Sequence, residues 1–198
     1  MNKSDFIYEI EKHERFMKDS VTNIEKEYKI LLSKDQYDLI DKYYNWDNII
    51  TQVNYYYDKH DLSFAKNNTT IRIRMMDNKY KLQIKSPNSV INEKFFVMTE
   101  QEKEIKTKPE ILQIDGQELY HVGTLTTLRK TKTIDQKNIL ICLDKSDYCN
   151  IVEYELEIEF AENTDKINEI LNAFNLQIQK TNRGKRERLF KALGLKND

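Results

Sequence analysis

Every second residue from 153 to 159 is a glutamate: Glu153, Glu155, Glu157 and Glu159 alternate with Val152, Tyr154, Leu156, Ile158 and Phe160. Carboxylates crowded on one strand face repel, so this pattern asks for a cation among them. Hard divalent ions such as Mg²⁺ and Mn²⁺ take oxygen ligands of this kind. The opposite sign is segregated just as cleanly. Arg72 and Arg74 share a face opposite Ile71, Ile73 and Met75, while Lys81, Gln83 and Lys85 oppose Tyr80, Leu82 and Ile84. Arginine forks and lysine ammonium groups suit phosphate oxygens. A third stretch, VTNIEKEYKILL at 21–32, puts Glu25, Glu27 and Lys29 on one side and Ile24, Tyr28, Ile30 and Leu32 on the other, with Lys26 the exception. Facing strands of this kind would hold a polyanion and its metal together. The plain alternative is a solvated strand face, but solvated faces usually mix their signs.

Side chains so distant in sequence meet only if their strands share a sheet. Period-two patterning predicts strands at 21–32, 50–58, 69–77, 79–86, 92–100, 123–134, 138–146 and 150–161, with a tight turn at Asp77-Asn78. Helical spacing predicts an amphipathic extension over 4–19, a helix capped by Ser33, another over 163–174, and a last one over 183–193. Strands in adjacent pairs with helices around them indicate an antiparallel sheet or a closed barrel. If the strands close, the charged faces line a lumen and the apolar faces turn outward, the reverse of a small barrel with a packed apolar interior. Periodicity alone does not tell a lumen from bulk solvent.

Composition narrows the classes. The 198 residues suit one domain. Lys and Arg total 32 against 33 Asp and Glu, a balance that argues against nucleic acid as partner. Cys142 and Cys149 are too few for a disulfide framework or a four-ligand zinc site, and His13, His60 and His121 are scattered. With no secretory signal and no apolar run long enough to span a membrane, the sequence reads as cytoplasmic, with no membrane partner.

The order of these segments resembles the CYTH, or triphosphate tunnel metalloenzyme, family in its small stand-alone bacterial branch. Glu25-Lys26-Glu27-Tyr28-Lys29 is similar to the ExExK motif that opens these proteins. Gln52-Val53-Asn54-Tyr55-Tyr56-Tyr57-Asp58 resembles the Q-x-N-x-Y-Y-D segment, Ile71-Arg72-Ile73-Arg74 the paired-arginine strand, and Leu82-Gln83-Ile84-Lys85 the lysine strand. Arg129, Asp144, the Glu155/Glu157 pair and Lys185 follow in the family's order. The resemblance covers residues 22–192. It implies an α+β fold: an eight-stranded antiparallel β-barrel, the triphosphate tunnel, with helices packed outside. Residues 1–20 would be an N-terminal helical extension and 21–198 the tunnel domain.

The resemblance also implies roles. Lys29, Arg72, Arg74, Lys85, Arg129 and Lys185 would grip phosphate oxygens, with Lys81 and Lys132 as further contacts. Glu25, Glu27, Glu93, Asp144, Glu155 and Glu157 would hold Mg²⁺ or Mn²⁺, with Glu153 and Glu159 as weaker candidates. Glu25, Glu27, Lys29, Arg74 and Lys85 form the implied catalytic set. Where the family often has S-K-Y, this chain has Gly184-Lys185-Arg186, so Lys180, Arg183 or Arg186 could assist or replace the lysine. The implied activity is metal-dependent hydrolysis of inorganic triphosphate or a related triphosphate-bearing small molecule, with release of phosphate, in a protein that could be a homodimer. A class IV-type adenylyl cyclase and a non-catalytic polyphosphate- or nucleotide-binding module are the competing functions.

Overall fold

The computed structural model describes residues 20–88, 95–134, 136, 138–162, 165–178 and 184–195. The predicted N-terminal extension and Glu93 lie outside the described residues. Among the described residues there are nine strands: β1 (Val21–Leu32), β2 (Asn48–Asp58), β3 (Thr70–Met76), β4 (Lys79–Pro87), β5 (Phe96–Ile105), β6 (Ile111–Ile114), β7 (Gln117–Ile134), β8 (Ile139–Tyr148) and β9 (Ile151–Phe160). They form one antiparallel sheet in the order β2-β3-β4-β5-β1-β9-β8-β7-β6. A ladder from Asn48–Thr131 to Asp58–Tyr120 joins β2 to β7 and closes eight strands into a barrel. Closure satisfies the backbone groups that open edges would leave unpaired.

Among the described residues four helices accompany the barrel: α1 (Lys34–Tyr43), α2 (Ser63–Lys66), α3 (Asp165–Ala173) and α4 (Lys185–Ala192). Helix α1 starts at Ser33 because Ser33 and Gln36 make a reciprocal capping box. Tight reversals follow from residues that tolerate positive φ: Asp77 and Asn78 between β3 and β4, Asp115 and Gly116 between β6 and β7, and Cys149 and Asn150 between β8 and β9. None of the described helices is long and apolar enough to cross a membrane.

The apolar faces turn outward. Tyr28, Ile30, Leu143, Leu156 and Ile158 pack beneath Tyr37 and Ile40 of α1 and Ile167, Ile170 and Leu171 of α3. On another flank, Ile71, Ile73, Leu82 and Ile84 are covered by Leu112, Ile114 and Leu119 of the β6–β7 hairpin. These parts of the outer wall are thereby buried without using the interior.

The structure amends the expected elements in three places. The strand expected at 92–100 runs Phe96–Ile105, because Glu100, Glu102 and Glu104 continue the alternation beyond Glu100. Strand β6, the start of β7 and helix α2 are additions; α2 is only four residues, too short to show helical periodicity. Helix α4 does not lie on the outer wall. Its Leu189 and Phe190 pack with Tyr56, Leu125 and Tyr148, which share the inward parity of β2, β7 and β8. Gly123 permits this approach, since a Cβ there would lie 2.8 Å from Leu193 Cδ1 and 3.2 Å from Leu189 Cδ2. Helix α4 therefore plugs one end of the barrel.

Candidate active site

The interior left by this plug is a cavity of about 760 Å³. Its walls are the charged faces of the strands. Strand β1 supplies Glu25, Glu27 and Lys29; β3 supplies Arg72 and Arg74; β4 supplies Gln83 and Lys85; β7 and β9 add Arg129, Glu157 and Glu159. Gly184, Lys185 and Arg186 reach it from the start of α4. The period-two rule operates as anticipated, because the alternate residues face a lumen rather than bulk solvent.

Register brings opposite charges together. Lys29 pairs across the ladder with Glu157, Arg129 with Asp144, and Lys85 with Glu100. Lys29 Nζ lies 2.7 Å from Glu27, and Lys85 bridges Glu25 and Glu27, 3.2 Å from the latter. Arg129 clamps Asp144 with Nε at 2.8 Å and Nη2 at 2.6 Å, and also binds Glu157. Lys185 sits among three carboxylates, 2.8 Å from Asp144, 2.7 Å from Glu157, and bonded to Glu155. Arg188 holds Glu153 and Glu155, each at 2.7 Å. Burial disfavours charge on Glu27, Asp144 and Glu157, yet Lys29 and Lys85, then Arg129 and Lys185, outweigh it and hold all three below the ordinary carboxylate range.

Two guanidinium groups lining the cavity have no carboxylate within salt-bridge distance among the described residues. Arg74 donates from Nε to Asn54 Oδ1 at 3.0 Å. Burial, with Arg72 and Arg129 nearby, pushes its pKa down to about 9. Arg186 donates to the Thr69 carbonyl at 2.5 Å, and its buried Nε has no partner. The reverse imbalance occurs at Glu159. It faces Glu27 directly across the β1–β9 ladder. Burial, with Glu157, Glu25 and Glu27 close by, pushes its pKa up to about 7 despite Arg129.

The site thus unites Glu25, Glu27, Lys29, Arg72, Arg74, Lys85, Arg129, Asp144, Glu155, Glu157 and Lys185. Lys81 extends it, 2.8 Å from Glu102. Lys132 does not join. It has the outward parity of β7 and binds Asp47 at 2.7 Å, outside the tunnel. The strand after Lys85 contributes Glu100 and Glu102, which the sequence reading passed over. Gln83 donates to them at 3.0 and 3.1 Å, and Arg72 lies 3.6 Å from Glu100. The alternation TEQEKE at 99–104 is the signal that would have found them. Arg188 carried no comparable signal, because only the placement of α4 brings it to β9.

Two carboxylate groups could hold a cation. Oxygens of Asp144, Glu155 and Glu157 lie within 4.8 Å of one another and are buried. The Lys185 ammonium already stands among them, so a metal enters there only if Lys185 gives up its place. Glu157 and Glu159, with Cys142, form the second group whose candidate ligand atoms lie within 4.8 Å of one another, and Glu27 stands opposite Glu159 across the β1–β9 ladder; carboxylate oxygens are the ligands that hard divalent ions take. The residues present therefore suit a hard cation.

Comparison with known proteins agrees with this geometry. The CYTH domain model matches residues 23–188. The Bacillus subtilis protein YjbK, which carries a provisional triphosphatase name, is 28% identical over 173 residues, covering 80% of this chain and 90% of that protein. A Bacillus halodurans protein solved under a provisional adenylate cyclase name is 25% identical, with a TM-score of 0.71 over 85% of this chain and 98% of that one. Hippeastrum HpAC1, described as having a dominant triphosphatase activity, is 20% identical and shares the fold, with a TM-score of 0.69 over 84% of this chain and 95% of that one. A charged lumen, a closed antiparallel barrel and a family match spanning nearly all the strands lead to one conclusion: the chain belongs to the CYTH domain family.

Proposed function

We propose that the protein is a divalent-metal-dependent hydrolase that splits inorganic triphosphate, or a related terminal triphosphate, and releases phosphate. The observation that carries this reading is Arg74: a guanidinium inside the tunnel, beside Arg72 and Arg129, with no carboxylate within salt-bridge distance among the described residues. A polyanion supplies the missing charge. Arg72, Arg129 and Lys85 stand on the same lumen, so consecutive phosphates would meet successive cations. The triphosphatase name of YjbK, the relative that spans most of this chain, supports the same reading.

Glu25, Glu27, Glu157 and Glu159 would hold Mg²⁺ or Mn²⁺ beside these cations, with Asp144 and Glu155 available once Lys185 moves. Such an ion would supply charge neutralisation at the transferring phosphoryl group and acidify a bound water. The chain's own residues do the rest. Arg72, Arg74, Lys85 and Arg129 align the phosphate chain and balance the charge that collects on the leaving pyrophosphate as the anhydride bond breaks. Water attacks the terminal phosphorus, and inorganic triphosphate gives phosphate and pyrophosphate. No side-chain nucleophile is required.

The test is phosphate release from tripolyphosphate, ATP, GTP and thiamine triphosphate, each with Mg²⁺, Mn²⁺ or EDTA. Release from at least one substrate, abolished by EDTA and by Glu27→Ala, is expected. Cyclic AMP and pyrophosphate from ATP, without phosphate release, would replace hydrolysis by cyclisation. Tight binding without turnover under either metal would leave only a binding module.

A further inference from the structure

Strand β8 turns Cys142, Asp144 and Ser146 inward, while Ile141 and Leu143 between them belong to the packed outer wall. Asp144 and Ser146 are engaged. Arg129 and Lys185 hold the first, and the second shares a hydrogen bond with Thr127 at 3.1 Å. The proposed reaction gives Cys142 no task. Its side chain lines the tunnel, with Glu157 opposite it on β9 and Thr131 opposite it on β7. A buried free cysteine ordinarily behaves as a small apolar filler. Here the sulfur faces carboxylates instead. Cys142 Sγ stands 3.8 Å from Glu159 Oε1, and the sulfur, a Glu157 oxygen and a Glu159 oxygen all lie within 4.8 Å of one another.

Such separations suit ligands around one ion. With a metal–sulfur bond of about 2.3 Å and a metal–oxygen bond of about 2.1 Å, tetrahedral neighbours stand about 3.6 Å apart. Cys142 and Glu159 are near that span as they stand. The competing cations are Arg129 and Lys185. Arg129 bonds to Glu157 and reaches Glu159 only at 4.0 Å, and Lys185 lies 2.7 Å from Glu157. Each carboxylate oxygen has two lone pairs, so these bonds leave capacity for an ion. Glu159 is the less engaged carboxylate and the more open one, its side chain 27% exposed, so an ion in the tunnel reaches it first. The sulfur then decides which ion suits. Mg²⁺ takes oxygen ligands, whereas Zn²⁺ and Co²⁺ accept thiolate and carboxylate together.

We infer that Cys142 is a metal-selecting residue: with Glu157 and Glu159 it forms a mixed sulfur–oxygen site in the tunnel that takes Zn²⁺ or Co²⁺ through the thiolate and prefers these ions to Mg²⁺. The inference rests on the proposed metal-holding role of Glu157 and Glu159. As the ion binds, the S–H bond breaks, the proton passes to solvent, and a sulfur lone pair bonds to the ion. No oxidant or reductant is needed.

The test is titration of the metal-free protein with Co²⁺, Zn²⁺ and Mg²⁺, comparing the unaltered chain with C149S, C142S and C142A. C149S removes the exposed thiol between β8 and β9 as a source of signal. A near-ultraviolet thiolate-to-cobalt absorption band is expected from the unaltered chain and from C149S, and from neither Cys142 variant. Zn²⁺ should bind at least tenfold more weakly to C142S and C142A, while Mg²⁺ affinity changes less than twofold. A C149S protein without the band overturns the inference. So does a band that survives C142S, or equal weakening of Zn²⁺ and Mg²⁺ in both Cys142 variants, which is the mark of a packing role. E159Q should also weaken Zn²⁺ binding, and an unchanged affinity there overturns the three-residue site. Absence of phosphate release under Mg²⁺ or Mn²⁺, with the Cys142 band intact, would remove the proposed reaction and leave the sulfur site supported.

Discussion

Glu27 and Glu159 stand directly opposite each other on β1 and β9, two carboxylates at one rung of an antiparallel ladder. Lys29 and Lys85 hold Glu27 ionised, while burial, with Glu157, Glu25 and Glu27 close by, raises the pKa of Glu159 to about 7. A rung of this kind costs stability unless a cation occupies it.

Metal-free protein should accordingly lose stability as pH rises. The folded form binds the Glu159 proton more tightly than the unfolded chain does. The contribution is therefore complete below the ordinary glutamate value of 4.5 and is lost as pH climbs through about 7. Glu159→Gln should flatten this dependence, raise metal-free stability by up to about 1 kcal/mol, and weaken Mg²⁺ binding. Thermal melts between pH 5 and 8 in EDTA, with and without the substitution, check it; identical slopes would defeat it.

Arg74→Gln should separate binding from folding. The charge it removes has no carboxylate within salt-bridge distance among the described residues, so the melting temperature should hold or rise. Tripolyphosphate affinity should fall by about 2 kcal/mol, roughly thirtyfold, as expected for loss of charge-assisted hydrogen bonds. Calorimetry alongside thermal melts measures both, and a lower melting temperature with unchanged affinity would contradict the assignment.

Lys185→Ala should do the opposite. It strips the ammonium from Asp144, Glu155 and Glu157, all buried. Removing one partner from such a group costs about 3–5 kcal/mol. Added Mg²⁺ or Mn²⁺ should restore part of that stability, because the emptied place among three carboxylates then suits a cation. Denaturant unfolding with and without metal gives the comparison.

Gly123→Val should disturb the site from outside it. A Cβ at this position would lie 2.8 Å from Leu193 Cδ1, just past α4, closer than real Cβ atoms come, and 3.2 Å from Leu189 Cδ2 of α4, a tight contact. Overpacking of this kind costs about 1–3 kcal/mol. Because α4 carries Lys185 and Arg186, substrate affinity should fall together with stability. Unfolding and binding titrations on the same preparation test the coupling, and loss of stability with intact affinity would separate the plug from the site.

Much of what the chain dictates locally was readable, although strand β6, helix α2 and the full reach of β5 were not. Alternation along β1, β3, β4 and β9 settles which side chains share a face, because successive strand residues point to opposite sides whatever the strand packs against. Glu25, Glu27, Arg72, Arg74, Lys85 and Glu157 followed from that rule and from the order of the motifs. Closure could not be read this way. Whether a charged face meets water or a lumen depends on the β2–β7 ladder, a pairing between segments far apart in sequence. Lys132 lay within the rule's reach, since its parity is opposite to that of Arg129 and turns it to Asp47; Arg186 and Arg188 did not, because only the placement of α4 in the barrel mouth brings them in. Alternation is a property of each strand alone; enclosure belongs to the whole sheet, and charges become a site only once enclosure brings their opposites within a few ångströms.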